Sequence, residues 1–599
     1  MQNEGIKLPR TSESERLKRI RHTASHVMAM AVQKLYPHAQ VTIGPWTETG
    51  FYYDFDLPEP LTEKDLKAIQ KEMVKIINRK LPVIREEVTR EEAEARIRQI
   101  NEPYKLEILE SIKEEPITIY HIGDEWWDLC AGPHLENTGE LNPKAIELES
   151  VAGAYWRGDA RNKQLQRIYG TAWETPEQLA EYKRRKQEAQ KRDHRRLGKE
   201  LGLFIFADSV GPGLPLWTPK GTILRHTLEE FLRQEQIKRG YLPVVTPHIA
   251  KVELFKTSGH WQKYKEDMFP MMAESEEDAL REIGFVLKPM NCPFHIQIYK
   301  SQIRSWRDLP MRLAEFGTVY RYEQSGELGG LTRVRGFTVD DSHIFVTPEQ
   351  LESEFLNVVD LILYVFKVLR LNKFKARLSF RDPNSDKYIG SDQIWEKAES
   401  AIRNAVQHLG MEYFEAPGEA AFYGPKLDFI FQDALEREWQ LGTVQVDYNL
   451  PERFDLEYTA PDGSRQRPVM IHRAPFGSLE RLIGILIEEY AGDFPIWLAP
   501  VQVRLLPVSD EFRPYAQQVC QKMLSLGIRA EVDASGDRLA KMIRTAEKEK
   551  IPVMAVVGAK EQDNNTLSIR TRAQGELGAL PLEQVIQRLL NAIQSYGDF

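Results

Sequence analysis

Residues 312–345 constrain the fold of this chain more than any other segment, because their pattern requires an antiparallel hairpin. FGTVYRYE alternates as a strand does, SGELGG is typical of a flexible turn, and RVRGFTVDD predicts the returning strand. The segment carries four arginines, which we expect at the base of a hairpin with a mobile, glycine-rich tip. Planar guanidinium groups bind phosphate oxygens in pairs and keep their charge, so this hairpin suits a polyphosphate. A salt-bridged surface hairpin is an equally good interpretation of the segment alone.

The length of the chain, 599 residues, exceeds what a single hydrophobic core supports, and roughly three or four domains are expected. The net charge of −9 argues against indiscriminate nucleic-acid binding but allows a local basic surface. Residues 183–199 form such a basic stretch, which we interpret first as a solvated helix face and second as a helix near a phosphate backbone.

The cysteine content and the apolar runs predict a cytosolic protein without a membrane partner. Three cysteines make a disulfide framework improbable, and the N-terminus lacks the apolar core of a secretory signal. The longest apolar stretch, residues 356–371, is interrupted by Asp360 and Lys367, which predicts a buried helix.

Changes in periodicity divide the chain into four predicted parts. Residues 1–176 mix short strands and helices, and residues 177–200 form a charged connecting helix. Residues 201–498 alternate strand-like runs with long helices at 223–239, 347–370 and 395–409, which is typical of an α+β domain on an antiparallel sheet. Residues 499–599 follow a β-α-β-α-β pattern, which predicts an α/β domain with a parallel sheet. The fold class is therefore multidomain α+β.

A first group of candidate site residues lies near the N-terminus. His22 and His26 are four apart in a helix-like segment, so both imidazoles point the same way. Cys130 and His134 follow in the motif DLCAGPH. By ligand type these residues could form a zinc site, and they could equally form a metal-free pocket that positions a hydrolytic water.

A second group, Cys292, His343 and His472, is scattered along the chain and could meet only through tertiary folding. One thiolate and two imidazoles would bind zinc and leave an open coordination position for a ligand. Arg481 begins an apolar helix, where the helix dipole favours anions, and is a further candidate for phosphate binding. The chain has no GxxxxGK[ST] phosphate loop.

Together and in this order, these motifs resemble the threonyl-tRNA synthetases, a family of class II aminoacyl-tRNA synthetases. The resemblance covers nearly the whole chain and rests on HTASH with DLCAGPH, SGHW, KPMNCP, YRYE through DDSH, AFYGPKLDF and IHRAPFGSLER. It implies an α+β editing domain at 1–176, a linker helix at 177–200, a class II catalytic domain on an antiparallel sheet at 201–498, and an α/β anticodon-binding domain at 499–599.

The resemblance also implies roles for matching residues in ATP binding and catalysis. Arg321 would bind the α-phosphate, Glu323 would read adenine and Phe337 would stack on the base. Arg333 and Arg481 would hold the outer phosphates of ATP, which binds with Mg²⁺. The implied catalytic set is Arg321, Lys426, His260 and Arg481, and the implied ATP-binding set is Arg321, Glu323, Arg333, Phe337, Gln440 and Arg481.

For the amino acid, the resemblance implies a Zn²⁺ ion in each subunit on Cys292, His343 and His472, with Asp341, Tyr423 and Ser478 as threonine-binding residues. Threonine can chelate zinc through its amino and hydroxyl groups, whereas valine leaves polar groups unpaired and is rejected by roughly 10⁴–10⁵-fold. Serine lacks only a methyl, worth about 1–3 kcal/mol, so a second, hydrolytic site is required. The implied editing residues are His22, His26, Lys105, Asp128, Cys130 and His134.

Further implications concern tRNA, assembly and departures from the family pattern. Arg538, Arg544, Glu561 and Arg570 match positions near the anticodon, and Pro247 fits the motif that forms the homodimer. The ubiquitin-like (TGS) domain usual in bacterial members is expected to be absent, because His22 comes too early to leave room for it. Val339, Phe294 and Gly536 replace residues common in the family.

The predicted function is that of a threonine–tRNA ligase with tRNA(Thr), ATP and L-threonine as substrates and with hydrolysis of mischarged seryl-tRNA(Thr). A non-catalytic RNA-binding paralogue is the main alternative, but it should have lost phosphate arginines or zinc ligands that are present here. A prolyl or seryl relative is disfavoured by the zinc trio together with the two editing motifs.

Overall fold

The computed structural model describes residues 6–159, 161–408, 410–434 and 436–599. Residues 1–5, at the start of the predicted first domain, and Leu409, the predicted end of one helix, lie outside the described residues. The chain divides into two compact units, Met1–Glu188 and Ala189–Phe599.

The first unit contains two antiparallel sheets, with strand orders β1-β2-β7-β6 and β3-β4-β5. The strands are β1 (Gln40–Val41), β2 (Phe51–Asp56), β3 (Val83–Val88), β4 (Ile117–Ile122), β5 (Trp126–Leu129), β6 (Ile146–Tyr155) and β7 (Gln164–Ala172). The helices are α1 (Glu15–Leu35), α2 (Glu63–Asn78), α3 (Arg90–Ile100), α4 (Pro103–Ser111) and α5 (Pro176–Arg192). Helix α1 is buried on all sides over residues 20–32, so its two histidines lie inside the unit.

The basic stretch after residue 176 is not one helix, as predicted, but two. Helix α5 ends at Arg192, and Asp193 caps the next helix, α6 (His194–Glu200), by accepting a hydrogen bond from the backbone N–H of Arg195 at 2.8 Å. Two lysines of α5 form ion pairs: Lys183 with Glu147 at 2.6 Å and Lys186 with Glu149 at 2.8 Å. These contacts fit the interpretation of a surface helix face better than that of a free phosphate-binding surface.

The second unit is built on an eight-stranded sheet with the order β10-β13-β14-β21-β18-β17-β15-β16. The strands of this region are β8 (Phe204–Ile205), β9 (Leu216–Trp217), β10 (Leu242–Pro243), β11 (Ile249–Lys251), β12 (Phe285–Leu287), β13 (Met311–Tyr320), β14 (Gly336–Val346), β15 (Phe374–Phe380), β16 (Tyr413–Pro417), β17 (Lys426–Gln432), β18 (Glu438–Asp447), β19 (Tyr458–Thr459), β20 (Arg465–Gln466) and β21 (Val469–Ala474). All neighbouring pairs of the large sheet are antiparallel except the outermost pair at each edge. The antiparallel sheet predicted for this region is confirmed.

Helices cover this sheet and form the largest hydrophobic core with it. They are α7 (Pro219–Lys238), α8 (Val252–Ser258), α9 (His260–Tyr264), α10 (Glu276–Leu280), α11 (Cys292–Lys300), α12 (Leu351–Val368), α13 (Asp392–His408), α14 (Asn449–Arg453) and α15 (Leu479–Glu489). Most of the apolar run at 356–371 lies in α12, which packs against β18 and β21 as a buried helix. Among the described residues, no helix is both long and apolar enough to cross a membrane.

The predicted hairpin is formed by β13 and β14, but its arginines are placed differently from the prediction. Arg321, Arg333 and Arg335 lie in the connection between the strands, at the tip, and not at the base. Arg312 alone lies near the open end, where it forms a bidentate ion pair with Glu354 of α12 at 2.7 Å. The candidate phosphate site is therefore at the tip of the hairpin.

The C-terminal region is an α/β domain whose sheet is mixed and not purely parallel. Its elements are β22 (Val503–Pro507), α16 (Arg513–Ser525), β23 (Ala530–Val532), α17 (Leu539–Lys548), β24 (Val553–Val557), α18 (Ala559–Asn564), β25 (Thr566–Thr571), β26 (Gly575–Pro581) and α19 (Leu582–Gln594). The three predicted strands are parallel in the order β23-β22-β24, and β25 and β26 extend the sheet antiparallel. The prediction missed these last strands, although TLSIRT alternates as a half-buried strand does.

Candidate active site and editing site

A cavity of about 320 Å³ opens on the eight-stranded sheet and collects residues from distant motifs. The residues that line it include Cys292, Arg321, Asp341, His343, Tyr423, Lys426, Gln445 and His472. Strands β14, β18 and β21 lie side by side, so polar residues at alternate positions of each strand face the same space.

Strand pairing brings the three candidate zinc ligands together at this cavity. His343 of β14 and His472 of β21 are direct partners in the antiparallel register. Cys292 is the first residue of α11, and the candidate ligand atoms of the three residues all lie within 4.8 Å of one another. All three residues are buried, so their donor atoms form a compact group of one sulfur and two nitrogens.

Hydrogen bonds behind the two histidines engage one ring nitrogen of each and leave the other available to a ligand. Glu315 accepts from His295 Nε2 at 3.2 Å, and His295 Nδ1 lies 2.7 Å from His343 Nδ1, which leaves His343 Nε2 as an acceptor. Asp447 accepts a hydrogen bond from His472 Nε2 at 2.8 Å, which leaves Nδ1 of the His472 ring available to a ligand. Carboxylates that orient histidines in this way are typical of metal-binding sites.

Burial favours the neutral forms of His343 and Cys292. Burial lowers the pKa of His343 well below its ordinary value, so the imidazole is neutral, as a ligand must be. Burial, with the nearby carboxylates of Asp341 and Asp447, raises the pKa of the Cys292 thiol. A bound cation would reverse the thiol shift, because coordination deprotonates a thiol. The donor set therefore fits zinc.

A second cavity of about 320 Å³ adjoins the first, and Arg321, Val339 and Thr443 line both. Arg321 has a buried Nε without a hydrogen-bond partner, and among the described residues no carboxylate lies within ion-pair distance of it. Its guanidinium carbon lies 5.2 Å from the ring centre of Phe337. An arginine with an unsatisfied donor at the junction of two cavities is suited to bind an anionic ligand.

Two further arginines reach the second cavity. Arg481 lies in the first turn of α15, after the capping residue Ser478, and burial with the charges of Arg321 and Arg333 lowers its pKa. Arg333 forms an ion pair with Glu323 at 2.8 Å. If Arg333 and Glu323 both bind the nucleotide as predicted, the ion pair between them must open when the nucleotide enters.

The other predicted residues lie in the second cavity or outside both cavities. Phe337, Gln440 and Ser478 line the second cavity, so Ser478 is placed on the arginine side and not beside Asp341 and Tyr423. His260 lines neither cavity; it is fully buried, with Nε2 at 3.9 Å from Cys292 Sγ. Burial lowers the pKa of His260 to about 3, so this imidazole is neutral at physiological pH.

Sequence reasoning missed several polar residues at this site. Gln445 and Thr443 line the first cavity, and Gln445 accepts a hydrogen bond from the Tyr423 hydroxyl at 2.9 Å. The available signal was the alternation of Thr443, Gln445 and Asp447 with apolar residues along β18. His295 gave no signal of its own, because it contacts the site through His343, a neighbour that only the fold provides.

The first unit gathers the other predicted cluster around Cys130. Its Sγ lies 3.3 Å from His22 Nε2 and 3.3 Å from His134 Nε2, and the rings of His22 and His134 stack at 4.1 Å. The carbonyl of Pro133 accepts from His22 Nδ1 at 3.2 Å, so Nε2 faces the thiol as an acceptor. Burial lowers the pKa of His22 to about 4 and raises that of Cys130 to about 12, which makes both groups neutral at physiological pH.

A buried charged group adjoins this cluster. Asp128 forms an ion pair with Lys105, lies 3.5 Å from His26 Nε2, and accepts a hydrogen bond from the Tyr53 hydroxyl at 2.6 Å. Lys105 in turn donates to the Tyr53 oxygen at 3.0 Å. All six predicted editing residues thus lie in one connected group, and Tyr53 is a member that sequence reasoning missed. Neutral imidazoles beside a fixed carboxylate and ammonium can bind and polarise a water.

The four predicted anticodon residues lie in the C-terminal domain but in different settings. Arg538 and Arg544 are both exposed. Arg538 immediately precedes α17, and Arg544 lies within this helix. Arg570 lies 3.2 Å from Glu547, and Glu561 accepts from the backbone N–H of Gly558 at 2.9 Å, which caps α18. The two exposed arginines are therefore better placed to meet a phosphate backbone than the two paired residues.

The structure accounts for two of the departures from the family pattern. Gly536 has a φ of +68°, a left-handed conformation that asparagine also tolerates, so the two residues are conformationally compatible there. Phe294 is buried against Phe255, with ring centres 6.1 Å apart. Nothing in the structure explains Val339, which lines both cavities.

Three families of domains match parts of the chain. The tRNA synthetase class II core domain (G, H, P, S and T) matches residues 275–490, the anticodon binding domain matches 502–592, and the threonyl and alanyl tRNA synthetase second additional domain matches 117–169.

Curated relatives match over nearly the full length. A threonine–tRNA ligase from Synechocystis sp. is 81% identical over 99% of this chain and 98% of its own, and one from Thermosynechococcus vestitus is 78% identical over the same shares. The solved RNA binding domain of threonyl-tRNA synthetase from Cryptosporidium parvum Iowa II aligns with a TM-score of 0.63 and 38% identity, over 68% of this chain and 98% of that chain. On this similarity, together with the motifs and their placement, the chain belongs to the threonine–tRNA ligase family of class II aminoacyl-tRNA synthetases.

Proposed function

We propose that this protein activates threonine with ATP to threonyl-adenylate, transfers the threonyl group to the 3′ end of tRNA(Thr), and hydrolyses mischarged seryl-tRNA(Thr). The observation that carries the proposal is the first cavity, which is lined both by a Cys-His-His group and by Arg321, an arginine that also lines the second cavity and has no carboxylate partner among the described residues. Adenylate formation joins an amino acid carboxylate to an α-phosphate, and Arg321 lies where these two anionic groups would meet.

In the first cavity, Cys292, His343 and His472 would hold a zinc ion with an open coordination position. Such an ion supplies a Lewis acid that can take the amino and hydroxyl groups of threonine. The side-chain hydroxyl would also meet Asp341, whose carboxylate receives a hydrogen bond from Asn291 at 3.1 Å. Tyr423 would close the cavity, with its ring centre 5.1 Å from that of His472.

In the second cavity, ATP would bind with Mg²⁺. Phe337 would stack on the base, Glu323 would read adenine, and Gln440 would lie beside the nucleotide. Arg333 and Arg481 would bind the outer phosphates, and Arg321 the α-phosphate. The lowered pKa of Arg481, caused by burial and by two neighbouring cations, indicates a site where a polyphosphate relieves repulsion between positive charges. Lys426 would assist at the phosphates from the adjoining wall.

An ATP–pyrophosphate exchange assay with different amino acids tests this function. We expect threonine to support exchange, serine to support it about 10–200-fold less efficiently, and valine to give none. A missing methyl group costs little binding free energy, whereas a missing hydroxyl leaves buried polar groups of the site unpaired. Removal of zinc by a chelator should abolish exchange and zinc should restore it, while circular dichroism stays unchanged. Exchange driven by proline, or no exchange with threonine, would contradict the assignment.

The site around Cys130 would hydrolyse seryl-tRNA(Thr), with the neutral imidazoles of His22 and His134 holding a water. A thiol whose pKa is raised to about 12 is a poor nucleophile, which favours water over Cys130 as the attacking group.

His22→Ala tests the role of this site directly. Charging with threonine should stay at the parental rate, while seryl-tRNA(Thr) should accumulate, because only the hydrolytic step is impaired. The measurement is the serine charged to tRNA(Thr) at equal enzyme concentration, and His38→Ala, at an exposed histidine of the same unit, is the matched control. Parental levels of seryl-tRNA in the His22 variant would remove this site from editing.

We further propose the domain boundaries 1–176, 177–200, 201–498 and 499–599, with Arg538, Arg544, Glu561 and Arg570 near the anticodon.

A homodimer is supported by an apolar surface beside the edge strand β10, where Leu242, Val245 and Ile249 are 52%, 94% and 44% exposed. A non-catalytic paralogue is disfavoured, because a chain freed from catalysis has no reason to keep the zinc ligands aligned by buried hydrogen bonds.

A further inference from the structure

Asp428, a residue to which nothing above assigns a role, lies at the centre of the hydrogen bonds behind both cavities. It is fully buried in β17, and two groups donate to its Oδ1: Gln440 Nε2 at 2.7 Å and Thr443 Oγ1 at 2.9 Å. Its Oδ2 receives Ser379 Oγ at 2.8 Å, Arg377 Nη2 at 3.0 Å and the Lys426 ammonium at 3.0 Å. One carboxylate therefore satisfies five donors.

An irregularity in the sheet makes this convergence geometrically feasible. Residues three apart on a regular strand, such as Gln440 and Thr443, point to opposite faces. Between β17 and β18, however, Asp428 pairs with Thr443 and Ile430 pairs with Gln440, so β18 contains one extra residue at this point. Such a bulge re-aims side chains. It turns Gln440 onto the face of Thr443 and Asp428, and Gln440 Nε2 lies 3.1 Å from Thr443 Oγ1.

Three of the five residues that donate to Asp428 line the cavities. Lys426 lines the first cavity, Gln440 lines the second, and Thr443 lines both. Asp428 itself lines neither cavity, so it would not touch a bound substrate. Its position is behind the place where the amino acid and the nucleotide would meet.

The charges explain why a carboxylate is needed there. Lys426 and Arg377 both approach the same Oδ2 atom, and without an anion these two cations would repel each other in a buried setting. The hydroxyl of Ser379 and the amide of Gln440 would also lose their acceptor, and unsatisfied buried donors are costly. With Asp428 ionised, the Lys426 ammonium is held against the sheet instead of moving freely within the cavity.

We propose that Asp428 is a positioning residue for adenylate formation: it holds Lys426, Gln440 and Thr443 in the arrangement that brings the amino acid carboxylate and the α-phosphate together. This rests on the proposed function. Asp428 acts through these residues, most of all through Lys426, whose ammonium has no other carboxylate partner among the described residues.

A double-mutant cycle in ATP–pyrophosphate exchange tests the proposal, with parental protein, Asp428→Asn, Lys426→Met and the double variant. Asp428→Asn keeps the shape of the side chain and removes its charge. It should lower kcat/KM by about 10²-fold, chiefly in kcat, because a displacement of about 1 Å at a reacting group has that effect. Lys426→Met should show a similar loss, and the double variant should lose hardly more than either single variant.

Asp433→Asn is the matched control, since Asp433 is a buried carboxylate in the turn between β17 and β18 and lies 2.7 Å from Arg437. It should lower the thermal transition temperature but keep the parental kcat and KM. The proposal is overturned if Asp428→Asn retains parental exchange, if the losses of the two single variants multiply in the double variant, or if Asp433→Asn reproduces the loss in kcat. A parental protein that fails to catalyse threonine-dependent exchange would instead refute the proposed function.

Discussion

Replacement of Cys292 by serine should remove zinc from the protein and lower threonine-dependent exchange by about 10³-fold or more, because a Lewis acid contributes several kcal/mol. Serine is close to cysteine in size but is a poor zinc ligand at neutral pH. Zinc content by atomic absorption should fall towards zero, whereas circular dichroism should stay parental, because Cys292 is the first residue of its helix and the replacement of sulfur by oxygen hardly changes the packing of the small core around it. The zinc measurement is independent of activity and so separates loss of metal from loss of catalysis.

Cys520→Ser provides the matched control for this experiment. Cys520 is also a buried free cysteine, but it lies on α16 in the core of the C-terminal domain. Its replacement should lower stability and leave zinc content and exchange unchanged. If the Cys292 variant retains full exchange after zinc has been stripped from it, zinc has no role in threonine activation.

Arg321→Ala should lower kcat/KM for exchange by about 10²–10³-fold, the usual effect of removing one donor from a developing anion. The structure supports this magnitude because Arg321 has a buried Nε without a partner and faces both cavities. Its removal frees no buried carboxylate, so the fold should survive. Steady-state exchange at varied ATP and threonine, with thermal unfolding in parallel, measures both consequences.

Arg312→Ala, at the other end of the same hairpin, should behave in the opposite way. Arg312 pairs with Glu354, which is largely buried, and the loss of one partner of such a pair lowers stability. The transition temperature should fall, while KM for ATP stays parental in protein that remains folded. Equal kinetic losses in the two variants would mean that Arg321 acts only through the stability of the hairpin.

Much of the architecture was predictable because local sequence patterns indicate the helices and strands. The alternation in FGTVYRYE predicted the hairpin, and the long apolar periodicities predicted helices α7 and α12. The break at Asp193 was not predicted, although aspartate is a good helix-capping residue, because the charged run on both sides has the same helical spacing. The pairing of β25 and β26 depends on contacts beyond the local sequence.

The site residues differ in the same way. His22 and His26 could be placed together because a helix puts residues four apart on one face. Cys292, His343 and His472 could be grouped only as a hypothesis, since other pairings of the strands would have kept them apart in space. The register of β14 with β21 makes His343 face His472, and no local pattern encodes that register.

The sequence by itself determined the residue types of the proposed chemistry: the candidate phosphate-binding arginines, the candidate zinc donors and the two histidine motifs, each recognisable because its order and spacing are specific. The tertiary structure decided which of these residues are free to act. It pairs Arg312 with Glu354 and leaves Arg321 without a carboxylate partner among the described residues, although both belong to one hairpin. It also places Asp428 behind Lys426, Gln440 and Thr443 through a single extra residue in β18. The physical reason is that a side chain is available to a ligand only if its neighbours do not pair with it. Long-range strand pairing brings those neighbours from distant parts of the sequence.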